Sequence, residues 1–363
     1  MNKNGKRTII IYFFIFLRMF VIIGIYAGKT LAKEEGDLLL IISILLCYPL
    51  YLLSIFLHEL GHMVFGLLTG YSFSSFRVFN IMILNDNGKL VFKKMSISGT
   101  AGQCIMFPKD NNTSFVLYNL GGVIFNIIFF IIAIGLTFII KNNFIKVLLF
   151  DFGIMNLYDI VTNGIPAKSF INNDMCNIVE LKNDKSSRDT FYNALHIQNE
   201  IVLGKRLKDI SEKYIYKPRE IKNSGDVDEM VFFCNQLIDK HEFEKVIKEI
   251  EGFINYEELN SVYRSMLIND LIYCYAVLNK EIDKATSYKD EEVKMILNQM
   301  KKYPAVIRTN YAYALLIDGN VDEANKYLDS FNKIKKTYPY KTDIESESEL
   351  IEIAKNIHNK KDH

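Results

Sequence analysis

The sequence predicts an all-α polytopic membrane protein of about four transmembrane helices with a small β-hairpin loop, joined to a C-terminal soluble domain of α-solenoid type. Three observations carry this reading. Charge is split: residues 1–175 hold 14 basic and 9 acidic residues, and residues 176–363 hold 29 and 33. Uncharged runs crowd the first part, such as Asn111 to Ile140. In the second part a short pattern recurs every 39 residues. Two solvents for two domains explain the split better than one mixed soluble body. The expected boundaries are 1–37 for an N-terminal helix and loop, 38–180 for a membrane core, and 181–363 for a cytoplasmic helical-repeat domain.

The first span is expected over Thr8 to Gly28, after the basic Lys3, Lys6 and Arg7. Leu38 to Leu57 has no charge, and 20 residues suffice to cross the hydrocarbon as a helix. Residues 76–84 read as one strand, Asn85-Asp86-Asn87-Gly88 as a turn and residues 89–92 as the return strand. Asn111 to Ile140 is a further span, and Phe144 to Ile165 a fourth, interrupted by Asp151 and Asp159. Acidic residues at that depth are expected to face protein or a water-filled cavity.

Basic residues orient the chain. Lys3, Lys6 and Arg7 favour the cytoplasm, as do Arg77, Lys89, Lys93, Lys94 and Lys109 of the hairpin loop. Both termini are then cytoplasmic, in a multi-pass protein of the cell membrane.

Beyond about Asp174 the pattern is soluble and helical. Phe243-Glu244-Lys245-Val246, Ile282-Asp283-Lys284-Ala285 and Val321-Asp322-Glu323-Ala324 stand 39 residues apart, each after a short polar turn. That is a helix–turn–helix repeat layout. It resembles tetratricopeptide repeats, most clearly from Tyr311 to Ala324, although the period is 39.

The overall charge of +1 argues against a nucleic-acid binder. Five cysteines without a CxxC pair argue against a disulfide framework and a thiolate zinc site. A metal here needs His, Asp or Glu. His58 and His62 are four apart, so a helix puts both imidazoles on one face, able to share a metal. Glu59 projects beside that metal, placed to take a proton from water as general base. Zinc suits such ligands and is the expected cofactor.

Two imidazoles leave a ligand missing. His58-Glu59-Leu60-Gly61-His62 and the residues after it, to Gly70, resemble the active-site helix of the site-2 protease family of intramembrane zinc metalloproteases. Gly121-Gly122-Val123-Ile124-Phe125-Asn126 is similar to that family's Gly-Pro-x-x-Asn element, with Val123 in place of the Pro. Asn163-Gly164-Ile165-Pro166 with Asn173-Asp174 resembles its Asn-x-x-Pro…Asp-Gly element, with Met175 in place of the Gly and a longer spacing to Asp174. The resemblance covers residues 38 to about 180.

It implies three core spans, 38–69, 113–140 and 144–166, with the first span peripheral. It implies Asp174 as third zinc ligand, with Asp159 or Asp151 as alternatives, and Asn126, Gly122 and Asn163 as substrate-binding residues. Gly121, Gly122 and Asn126 read equally well as a close approach of two spans. The hairpin resembles the β-structure by which such proteases hold an unwound substrate strand, the other reading being a plain surface loop.

The implied function is hydrolysis of a membrane protein or membrane-anchored peptide, with a possible cytosolic protein partner through the repeats. Two other functions compete: a metal-binding relative without catalysis, acting in peptide binding or immunity, and a membrane-anchored repeat scaffold. An unliganded Glu59 beside the ligands favours catalysis.

Overall fold

The structure is a computed structural model that describes residues 3–31, 36–95, 100–110, 113–167, 172–256 and 259–361. Lys33, Glu34 and Glu35, in the loop after the first span, lie outside the described residues. The chain is mostly helical and divides into two compact units, Met1–Phe79 with Gly99–Lys185, and Asn80–Ser98 with Ser186–His363.

The first unit is built on four long helices, α1 (Lys3–Leu31), α2 (Gly36–Leu68), α3 (Phe115–Thr137) and α4 (Asn143–Gly164), followed by the short α5 (Asp174–Asn183). By length and composition, three helical stretches can cross a membrane: Arg7–Leu31, Asp37–Leu68 and Phe115–Thr137. Their burial is inverted relative to a soluble protein. Leu45 is 69% and Ile131 62% exposed, whereas Ser54, Asn126, Asp151 and Asn156 are wholly buried. Lipid accepts the apolar exterior, and polar groups must then find partners inside.

Helix α2 runs through Pro49 and packs against both α3 and α4. Glycines permit the α2–α3 approach: a Cβ on Gly61 would collide with the Gly121 carbonyl, and one on Gly121 with the Gly61 carbonyl. Asn142 caps α4, its side chain accepting from the Ile145 N–H at 2.9 Å. Helix α1 lies along α4, where the Tyr12 hydroxyl donates to the Thr162 carbonyl at 2.9 Å.

The β-structure is larger than the expected hairpin. Strand β1 (Tyr71–Val78) pairs antiparallel with β4 (Gly102–Pro108), in a register running from Tyr71–Pro108 to Val78–Gly102 with an irregularity between Phe73 and Ser75. The expected single strand over residues 76–84 is interrupted: Phe79 adopts φ +52° and a turn follows at Phe79–Asn80. The sequence hides this break because aromatic and β-branched residues continue through it. In the second unit, β2 (Ile81–Asp86) pairs with β3 (Lys89–Lys94). The expected turn joins them. Asn87 and Gly88 both have positive φ, and Asn85 Oδ1 accepts from the Gly88 N–H at 2.8 Å.

The rest of the second unit is helical: α6 (Lys185–Val202), α7 (Ser224–Asp239), α8 (Phe243–Phe253), α9 (Ser261–Leu278), α10 (Ile282–Ser287), α11 (Glu291–Gln299), α12 (Pro304–Leu316), α13 (Val321–Ile334) and α14 (Lys341–Lys361). The three residues spaced 39 apart, Phe243, Ile282 and Val321, begin α8, α10 and α13. The turn before each contains a residue of positive φ: His241, Asn279 and Gly319. A continuous apolar core, with Ile250, Leu271 and Ala312 among its fully buried members, runs through these helices.

Candidate metal centre

His58, Glu59 and His62 lie on α2 and are each 7% exposed. One helical turn brings the two imidazoles together, Nε2 to Nε2 at 3.2 Å. The chain returns to them after α4. The Asn173 side chain donates to the Thr162 and Ile165 carbonyls at 2.7 and 2.6 Å, closing the end of α4. Its Oδ1 accepts from the Cys176 N–H at 2.9 Å, capping α5. Asp174, first residue of α5, is thereby set against α2, with Oδ2 3.1 Å from His58 Nε2 and 3.4 Å from His62 Nε2. Among the described residues that oxygen is buried without a hydrogen-bond partner.

A chain of side-chain amides fixes the tautomer of His58. Asn156 Nδ2 donates to the Phe152 carbonyl at 2.8 Å, so its Oδ1 faces Asn126 and accepts from Asn126 Nδ2 at 2.9 Å. Asn126 Oδ1 must then face His58 Nδ1, 2.5 Å away. An oxygen there requires a proton on Nδ1, which in the neutral ring leaves the His58 Nε2 lone pair bare. His62 Nδ1 is likewise 2.8 Å from the Tyr118 carbonyl oxygen, which bares its Nε2. With both rings neutral, the form that ligates a metal, two lone pairs and a carboxylate oxygen converge with no proton between them. A cation resolves that repulsion, and these three residues form the one group of potential ligands found among the described residues.

The expected alternative ligands are engaged elsewhere. Asp159 accepts from the Ser54 hydroxyl, and the Asp151 carboxylate lies 4.0 Å from Cys47 Sγ. The expected substrate-binding residues are placed as follows. Asn126 is fully buried, joined to His58 and Asn156 and 3.5 Å from Ser54 Oγ. Gly122 faces the His58 ring. Asn163 donates to the Asp159 carbonyl of its own helix at 3.2 Å. On the other side of α2, a Cβ on Gly102, the first residue of β4, would collide with the Glu59 carboxylate.

Sequence reasoning missed Ser54, Asn156, Tyr118 and Gly102. Ser54 carried a usable signal, since it stands one turn before His58 and so shares its face. Tyr118 acts through its backbone and Gly102 through close approach, neither of which a side-chain motif displays.

Residues 37–163, about a third of the chain, match the family model described as Peptidase M50B-like, which is the site-2 protease family. The match includes His58, Glu59, His62, Gly122, Asn126 and Asn163 and ends before Asp174. No curated protein and no solved structure matches the chain.

Proposed function

We propose that the M50B-like segment makes this chain an intramembrane zinc metalloprotease, with His58, His62 and Asp174 as zinc ligands and Glu59 as general base. The observation that carries the reading is the convergence of His58 Nε2, His62 Nε2 and Asp174 Oδ2, 3.1 to 3.4 Å apart. Ligands at about 2.0–2.1 Å in a tetrahedral zinc site stand about 3.3 Å from one another. Three protein ligands leave a fourth position open, the mark of a catalytic rather than a structural zinc.

Zinc, when bound, supplies Lewis-acid polarisation and lowers the pKa of water. The chain supplies the rest. Glu59 accepts the proton of the attacking water and delivers it to the leaving peptide nitrogen as the carbon–nitrogen bond breaks. Asn126 and the Tyr118 carbonyl hold both imidazoles in the tautomer that ligation needs. Strand β4 begins beside Glu59, so an extended substrate aligned along it would bring its peptide bonds to the base. Edge pairing suits this substrate class, because a transmembrane helix hides its amides until it is unwound.

Helix α4 is the fourth span of this reading. Its 22 residues extend about 33 Å, and its buried acids Asp151 and Asp159 turn toward α2. The hairpin loop and the region after about residue 181 are then cytoplasmic, the latter a helical-repeat domain able to hold a protein partner.

The test is Glu59→Gln in purified, reconstituted protein. Zinc should stay bound at about one per chain while cleavage of membrane-anchored peptides falls by on the order of 10²-fold or more. Undiminished turnover excludes the mechanism.

A further inference from the structure

The second unit holds a cavity of about 1360 Å³. Sites for single small molecules run to roughly 300–1,000 Å³, so this space suits an extended segment better. Its lining includes Lys94, Lys289, Lys294, Lys301, Lys302 and Lys333. Against these six cations stand two acids, Asp318 and Glu323, a net of +4.

That charge is out of place. Residues 176–363 carry 33 acidic against 29 basic residues. Some lysines elsewhere in the unit pair with acids: Lys217 lies 2.6 Å from Glu249, and Lys284 lies 2.7 Å from Glu251. Of the six cavity lysines, Lys294 alone forms an ion pair among the described residues, with Glu291 at 2.8 Å. Lys94, Lys289, Lys301, Lys302 and Lys333 line one concave space without an ion pair among the described residues, and the two lining acids offset only part of their charge. Focusing of like charge in a cleft draws a ligand of opposite sign.

The remaining chemistry narrows the ligand class. Asn298, Gln299 and Asn310 add amide groups that can both donate to and accept from a peptide backbone. Among the described lining residues there is no arginine, the side chain that grips phosphate bidentately.

We propose that this cavity binds an extended acidic peptide segment, which on the peptidase reading belongs to the polypeptide to be cut.

The experiment uses full-length Glu59→Gln protein in detergent, so that binding is read whether or not the chain is a peptidase. A fluorescein-labelled dodecapeptide alternating glutamate and alanine is titrated by anisotropy, beside its glutamine counterpart and a labelled single-stranded oligonucleotide. The acidic peptide should bind at least about tenfold more tightly than the glutamine peptide, and weaken as salt rises. Lys301→Glu with Lys302→Glu should weaken it about tenfold or more, and Lys355→Glu, outside the cavity, should leave it unchanged, all with unaltered circular dichroism. Equal binding of the glutamine peptide, indifference to the double substitution, or tighter binding of the oligonucleotide overturns the proposal. Acidic-peptide binding alongside no cleavage of membrane-anchored peptides by the unsubstituted, reconstituted protein refutes the peptidase reading and leaves the cavity assignment standing.

Discussion

Gly122 lies flat against the imidazole of His58: a Cβ built on it would fall 2.5 Å from the ring's Cε1 and Nε2. The ring is held by Asn126, whose Oδ1 lies 2.5 Å from Nδ1, so a shift of the imidazole away from a new methyl group costs that contact. Gly122→Ala should therefore displace a ligand and leave the helix pair otherwise intact. The expected outcome is folded protein with sharply reduced zinc content by atomic absorption. Gly61→Ala should behave differently, since its Cβ meets the backbone of Gly121 and forces the helices apart. Its expected signature is loss of folded protein in detergent. Full zinc content in Gly122→Ala would contradict the placement of His58.

Asp174 is the proposed ligand that lies beyond the family match. Outer-sphere partners of a metal are worth roughly 10–100-fold in affinity, so removing a direct ligand should cost more. Asp174→Ala is expected to weaken zinc binding beyond that range in a chelator competition. Asp159→Ala should act on folding or expression, because its carboxylate accepts from Ser54 and lies outside the cluster. The reverse pattern would move the ligand role to Asp159.

Asn126 and Asn156 offer a graded test of the tautomer argument. Asn126→Ala removes the acceptor at His58 Nδ1 and should lower zinc affinity about 10–100-fold. Asn156→Ala leaves Asn126 free to turn its amide, so a smaller loss of the same kind is expected. Unchanged affinity in both would break the proposed chain from Phe152 to His58.

How much of this was legible follows from what each group does. His58, Glu59 and His62 announce themselves because ligation needs side chains at helical spacing. Asp174 was reachable through the Asn-Pro-type turn before it, where α4 has to end. Strand β4 and the first five residues of β1 were not. Tyr71 to Ser75 is serine-rich, and residues 103–107 of β4 lack polar alternation because Cys104, Ile105 and Met106 are buried in succession. The turn at Phe79 was concealed by a residue that rarely adopts positive φ. The onsets of α8, α10 and α13 were visible as repeated patterns, whereas the concave lysine face was not, since its members come from widely separated stretches of chain.

Topology is open to labelling. The hairpin loop and the repeats are expected to be cytoplasmic, so cysteines introduced at Lys94 and Lys280 should resist an impermeant maleimide on intact cells and react after lysis. All five native cysteines are buried, which keeps the background low. Reaction of either site on intact cells reverses the orientation.

The second unit stands on a buried charge cluster. Arg308 on α12 is 1% exposed, donates from Nη2 to Asp270 Oδ1 at 2.7 Å and from Nε to Glu347 Oε2 at 2.8 Å, and lies 4.2 Å from the centre of the Tyr273 ring. It thereby ties α12 to α9 and α14. Removing one partner of such a cluster leaves uncompensated buried charge, at about 3–5 kcal/mol, whereas neutralising the whole cluster is far less damaging. Arg308→Ala should therefore shift urea unfolding of the second unit, followed by limited proteolysis, to markedly lower denaturant. Arg308→Met combined with Asp270→Asn and Glu347→Gln should recover much of that loss, because shape is roughly kept and no charge is stranded. If the triple variant is as weak as Arg308→Ala, the cluster acts through packing against Tyr273 rather than through its charges.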